Sequence, residues 1–178
     1  VPVPEWGNAP LWEVLRDGEG SARAHWFDID WAVEDGRVLM PFLGGTLEEA
    51  LAAGELAVAT DGGPRGDESV VRYYEHELPV APGTESMPLA DLLEAQHWRV
   101  AHWREGLTDL NYRRFFDVTS LIAIRVEDER VFAESHELLR QLVADGSIDG
   151  LRIDHPDGLA DPKGYLDRLA GLTDGAWV

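Results

Sequence analysis

The chain has 178 residues and carries 15 Lys+Arg against 34 Asp+Glu, a formal charge of −19, so its surface repels phosphate backbones and anionic lipid and argues against nucleic-acid or membrane-surface partners. A hydrophobic share of 44% with 28% charged residues excludes wholesale disorder. The lack of cysteine excludes disulfides, thiolate metal sites and a cysteine nucleophile. No apolar run is long enough to span a bilayer. The composition reads as a cytoplasmic, acidic protein. Val1-Pro2-Val3-Pro4-Glu5 has neither a starting Met nor a charged-then-apolar leader, and is read as a piece of a longer chain.

The first thirty residues are rich in Pro and Gly, with an apolar pulse at Leu11–Leu15 that suits one or two helical turns. Phe27-Asp28-Ile29-Asp30-Trp31 alternates with the period of a strand. Arg37–Leu43 reads as a second strand, placed at an edge or an end by Pro41. Thr46-Leu47-Glu48-Glu49 is a capping box that opens a short helix ending near Gly54. Leu56–Thr60 and Val70–Leu78 read as strands around a turn-rich loop. A helix is expected over Pro88–Arg104, from the spacing of Leu89, Leu92, Leu93, Val100 and Trp103.

Asn111–Val118 has no clean period, whereas Asp128–Asp145 has a helical stripe closed by Gly146. Ile148–Asp154 then reads as a strand and His155–Gly158 as a turn. Asp161-Pro162 starts a helix of about two turns to Leu169. Trp177-Val178 looks like the beginning of another strand. The fold class is therefore α/β with an inserted α+β subdomain, divided as residues 1–120 and 121–178. The second part is a βα unit that wants neighbouring strands.

The strongest local object is Asp149–Gly158. On a strand, Gly150, Arg152 and Asp154 share one face, while Leu151 and Ile153 share the other and suit a cover of helices. Arg152 beside Asp154 would balance the carboxylate's charge and fix its rotamer. A strand's C-terminal end is where α/β architectures place active sites, though a purely structural Arg–Asp pair explains the same residues.

Asn111-Tyr112-Arg113-Arg114-Phe115-Phe116 sets two guanidinium groups among three aromatics. This is either a pinned crossing loop or a platform for sugar hydroxyls and ring faces. Other candidates fail. His97 and His102 are splayed on the expected helix, Asp28 and Asp30 suit a solvated edge better than a cation site, and Gly62–Gly66 lacks a phosphate-loop setting. Ser120, Ser135 and Ser147 have no nucleophile-elbow context. No metal site emerges.

Ile148-Asp149-Gly150-Leu151-Arg152-Ile153-Asp154 resembles the alpha-amylase superfamily (glycoside hydrolase family 13) motif that ends the fourth barrel strand, with an Arg two residues before the nucleophilic Asp. The extension His155–Pro162, with Asn111–Val118, Phe27–Trp31 and the Leu93…His97-Trp98…His102-Trp103-Arg104 stretch, resembles one branch of it, the maltooligosyltrehalose synthase family. The resemblance implies a partial (β/α)8 barrel, around the third to fifth strands, with a domain inserted after the third. It also implies an intramolecular transglucosidase that turns the reducing-end α-1,4 linkage of a maltooligosaccharide into α-1,1, with no metal or organic cofactor.

Carried over residue by residue, Asp154 is the nucleophile and Arg152 orients it. His155, Asp157, Tyr112, Arg113, Arg114 and Phe115 contact substrate. Gly158 departs from the Lys or His that many amylases place there, so a hydrolase-type contact is not carried over. The acid Glu, the third carboxylate and the rest of the barrel are expected outside these residues, so this stretch alone should be inactive. A fragment of an amylase-like hydrolase, and a non-catalytic acidic interaction module in which Arg152–Asp154 is only a strut, are the competing readings.

Overall fold

In the computed structural model, which describes residues 7–64 and 66–175, helix α1 (Ala9–Asp17) begins where the Asn8 side chain accepts the Leu11 N–H at 3.3 Å. It ends at Gly18, whose φ of 71° and contact with the His97 ring both demand glycine: a Cβ there would lie 2.5 Å from the ring. Its nine residues exceed the expected one or two turns because Leu11, Trp12, Val14 and Leu15 give it a continuous buried face. The chain falls into two compact units, residues 1–123 and 124–178.

In the first unit, β1 (Val38–Leu43) pairs in parallel with β5 (Trp98–His102), and a register shift follows Pro41. Strands β2 (Leu56–Gly62), β3 (Glu68–Tyr73) and β4 (His76–Pro79) form an antiparallel sheet in that order. Between β1 and β2, α2 (Leu47–Ala53) carries the expected capping box: Thr46 N–H donates to Glu49 at 2.8 Å and Glu49 N–H to Thr46 Oγ1 at 3.2 Å.

Three expectations are corrected here. The strand expected over Val70–Leu78 is two strands, because Tyr74 turns the chain with a φ of 50°. The helix expected over Pro88–Arg104 stops after α3 (Leu89–Glu94). Gln96 ends it: its buried side chain donates to the Leu92 carbonyl at 2.6 Å and accepts the Ala81 N–H at 2.7 Å. Trp98-Arg99-Val100 then becomes β5, since its backbone finds a ladder on β1 that no local pattern announces. Phe27–Trp31 forms isolated bridges at Phe27 and Ile29, the latter antiparallel to Tyr112, and no named strand.

The second unit has helices α4 (Glu129–Ala144) and α5 (Pro162–Leu172), capped by Asp128 and Asp161. Phe132, Tyr165 and Leu169 form its core, and Leu151 and Ile153 pack against them. His136 bridges the helices, its Nε2 2.9 Å from the Tyr165 hydroxyl and its ring stacked on Phe132. The strand expected over Ile148–Asp154 carries an isolated bridge at Gly150 and forms no named strand, because among the described residues no named strand forms a ladder with it. The expected strand start at Trp177-Val178 lies outside the described residues. Among those described, no helix is long and apolar enough to cross a membrane.

Candidate functional site

The segment after α4 keeps the two-residue alternation even without a ladder. Leu151 and Ile153 are half-buried against the helices, while Arg152 and Asp154 face solvent with side chains 85% and 66% exposed. A single guanidinium nitrogen, Nη2, reaches both carboxylate oxygens, Oδ1 at 3.0 Å and Oδ2 at 2.8 Å. An ion pair this exposed contributes only about 0–1 kcal/mol to stability, so the fold does not need it. The pairing is one nitrogen on two oxygens and not the two-pronged fork, so Arg152 restrains the Asp154 rotamer without locking the carboxylate plane.

His155 follows in the left-handed region with φ of 56°, a conformation that costs a non-glycine residue about 1–3 kcal/mol. It opens the single 3₁₀ turn Pro156–Gly158, which holds Asp157 at the surface. Asp154, His155 and Asp157 thus lie exposed on one short, sharply turned segment.

The Asn111–Phe116 segment belongs to the first unit. Asn111, buried, is its rivet: Oδ1 accepts the Leu39 N–H at 3.0 Å, and Nδ2 donates to the carbonyls of Arg37 at 2.8 Å and Asp30 at 3.2 Å. Tyr112 is buried, and its hydroxyl has no hydrogen-bond partner; desolvation pushes it up to about 12. The Arg114 guanidinium donates to the Gly106 carbonyl, which pins the segment as a crossing loop. Arg113 stands 3.9 Å from Asp28. Phe115 meets Phe116 edge-on at 4.7 Å, and Phe116 takes a positive φ of 53° with its ring exposed.

A groove of about 750 Å³ lies between residues 28–34 and 108–113. Sequence reasoning singled out Asp28 and Asp30 but not the groove they line, nor the rivet role of Asn111. The one available signal was the alternation of Phe27–Trp31, which places Asp28 and Asp30 on one side. His97 and His102 share no helix: His97 packs over Gly18, and His102 ends β5 and accepts the Arg104 N–H at 3.3 Å. Among the described residues no three His, Asp or Glu side chains are grouped to hold a metal ion.

No protein-family model matches the chain. It is 41% identical over 172 residues to the "Putative maltooligosyl trehalose synthase" of Mycobacterium tuberculosis, a match covering 96% of this chain and 21% of that protein. Among solved structures, maltooligosyltrehalose synthase from Arthrobacter ramosus is 42% identical, with a TM-score of 0.86 over 99% of this chain and 22% of that one. A further maltooligosyl trehalose synthase crystal structure is 33% identical, with a TM-score of 0.79 over 95% of this chain and 21% of that one. The likeness to these synthases runs through nearly the whole chain, and the chain spans about a fifth of the length of the curated relatives it matches.

Proposed function

We infer that this chain, matched along nearly all its length to a stretch of maltooligosyltrehalose synthases, supplies one carboxylate and part of the substrate rim of an intramolecular transglucosidase of trehalose biosynthesis. In this reading residues 121–178 are the βα segment of a catalytic barrel, and residues 1–120 are an inserted subdomain with its return segment. The supporting observation is the segment around Asp154: its apolar residues face inward on the helices, and its Arg–carboxylate pair is offered to solvent.

Asp154 attacks the anomeric carbon of the penultimate glucose of a maltooligosaccharide while an acid outside this chain protonates the bridging oxygen, giving a covalent glycosyl-enzyme. The released terminal glucose stays bound, turns, and its anomeric hydroxyl displaces Asp154 to form the α-1,1 bond, its proton returning to the same outside group. Two inversions leave the configuration retained. Arg152 restrains the attacking carboxylate, and His155 and Asp157 hold substrate hydroxyls at its side. Arg113 and Phe115 belong to the rim that keeps water from intercepting the intermediate. Tyr112 and Arg114 support that rim from behind, through burial and the bond to Gly106.

The test is a chimera in which this chain replaces the matching stretch of the Arthrobacter ramosus enzyme. It should convert maltopentaose to a non-reducing product, and Asp154→Asn should abolish conversion without changing the fold. Retained activity in that variant removes Asp154 as nucleophile, and free glucose as the main product favours an amylase-like hydrolase. The 178-residue chain by itself should produce nothing, since general-acid help alone contributes roughly 10²- to 10⁴-fold; robust conversion by it would overturn the reading.

A further inference from the structure

We propose that the groove between residues 28–34 and 108–113 is a preformed subsite for a neutral glucosyl unit, read through its hydroxyl pairs by Asp28 and Arg113. The inference takes the identity of its ligand, a glucan, from the function proposed above, but its geometry lies wholly within the first unit and uses none of the residues around Asp154.

The walls are built before any ligand arrives. Asp30 N–H donates to the Asn111 carbonyl at 2.8 Å and Arg113 N–H to the Asp28 carbonyl at 3.1 Å, on either side of the Ile29–Tyr112 bridge. The buried Asn111 side chain ties both strands of this short ladder to β1. On the far rim Glu34 is fixed by the Arg99 guanidinium, with Nε and Nη2 each 2.7 Å from Oε2. A ligand entering such a groove pays little to order it.

The chemistry of the lining selects the ligand class. Asp28, Asp30, Glu34 and Asp109 line the groove, and among the described residues Arg113 is the cation of the lining, with Arg99 paired to Glu34 at the rim. That balance rejects phosphorylated and carboxylated sugars by like-charge repulsion. The same carboxylates do not gather into a group of three able to hold a metal, among the described residues. A neutral polyol suits this lining. Asp28 only accepts and Arg113 only donates, and they stand 3.9 Å apart at partly exposed positions. Neighbouring hydroxyls, each donor and acceptor, bridge such a pair: one donates to the carboxylate while the next accepts from the guanidinium. Thr108 adds a hydroxyl, and Val33 and Leu110 give apolar surface for the C–H faces of a sugar ring.

The experiment is a titration of the ¹⁵N-labelled 178-residue chain with maltotriose, followed by amide shifts. Shifts should concentrate at residues 28–34 and 108–113. Asp28→Asn and Arg113→Gln should each weaken binding by about tenfold, the worth of one hydrogen bond to a charged group, with unchanged β1 and β5 resonances reporting an intact fold. Maltobionate, which carries a carboxylate, should not bind. Maltotriose shifts that are absent or lie elsewhere, unchanged affinity in both variants, or shifts on the same residues with Ca²⁺ in place of sugar would each overturn the proposal. A chain that binds maltotriose here while the chimera forms no α-1,1 product breaks the functional reading and leaves the groove standing; an active chimera with a silent groove does the reverse.

Discussion

Each of the two units is held together internally by a different kind of contact. In residues 1–123 the decisive contacts are remote in sequence: Asn111 reaches back 72, 74 and 81 positions to Leu39, Arg37 and Asp30, and β5 pairs with a strand some sixty residues earlier. Residues 124–178 rely on two capped helices around a core of three buried side chains, Phe132, Tyr165 and Leu169. A unit stapled by remote polar contacts fails when one staple is removed. A unit assembled from local signals has little else than its small core to lose.

The sharpest test of the first half of that contrast is Trp98→Ala. Trp98 is completely buried on β5 and its indole N–H donates to the Pro79 carbonyl at 2.9 Å, joining the parallel pair to the end of β4. Truncation should cost about 3–5 kcal/mol, the range for a buried aromatic cut to Ala, measured by urea unfolding with amide exchange on β1. A cost under about 1 kcal/mol would show that the parallel pair does not organise this unit. Asn111→Ala should come next, at about 2–3 kcal/mol, because it leaves the buried Leu39 N–H without its partner. Asn111→Asp should not rescue it, since the carboxylate lacks the two donors that satisfy Arg37 and Asp30.

The same contrast decides what could be read from sequence. The capping box at Thr46–Glu49, the Asp161 cap and the stripe of α4 are encoded within a few residues, and each appears where expected. β5 was hidden because its spacing also fits a helix, and only its remote partner β1 and the buried Gln96 side chain settle the matter. Ile148–Asp154 shows the opposite error. Its alternation is real and sorts Leu151 and Ile153 inward from Arg152 and Asp154 outward, yet a strand needs a neighbour and the pattern cannot supply one. The motif around Asp154 was legible because its residues are contiguous; the groove was not, since its walls lie some eighty residues apart.

In the second unit the softest point is His136. It is buried against Phe132 and Tyr165, its Nδ1 2.9 Å from the Phe132 carbonyl and its Nε2 facing the Tyr165 hydroxyl, with Arg168 lying over the Phe132 ring. Burial lowers its pKa from the ordinary 6.5, the Phe132 carbonyl opposes that shift, and Arg168 adds to it. The unfolded chain therefore takes up the proton first as pH falls. Stability from this site is complete above pH 6.5 and is lost as pH drops through the interval below it, by at most about 1.4 kcal/mol per pH unit. A His136→Phe variant should lose that part of the acid sensitivity in urea titrations between pH 7 and 5, read from helical signal. An unchanged slope would show that carboxylates alone govern acid unfolding.

The smallest effect at neutral pH should come from Tyr112→Phe, and its sign is the informative part. The Tyr112 side chain packs between segments of the first unit with only 6% of its surface exposed, but its hydroxyl has no hydrogen-bond partner. A buried unsatisfied hydroxyl costs about 1–3 kcal/mol, and replacing it by hydrogen keeps the ring's packing while removing that penalty. The variant should be as stable as the parent or more so, by up to about 1 kcal/mol, where most truncations in this unit destabilise. A second reading comes at high pH. Burial raises the Tyr112 pKa from 10.0 to about 12, so the unfolded chain loses its proton first. Stability from this group is whole below pH 10 and falls as pH rises from there to about 12. Tyr112→Phe should flatten that alkaline decline, and a variant that is less stable at neutral pH with the decline intact would mean that the hydroxyl is satisfied and that the segment bearing Arg113 depends on it.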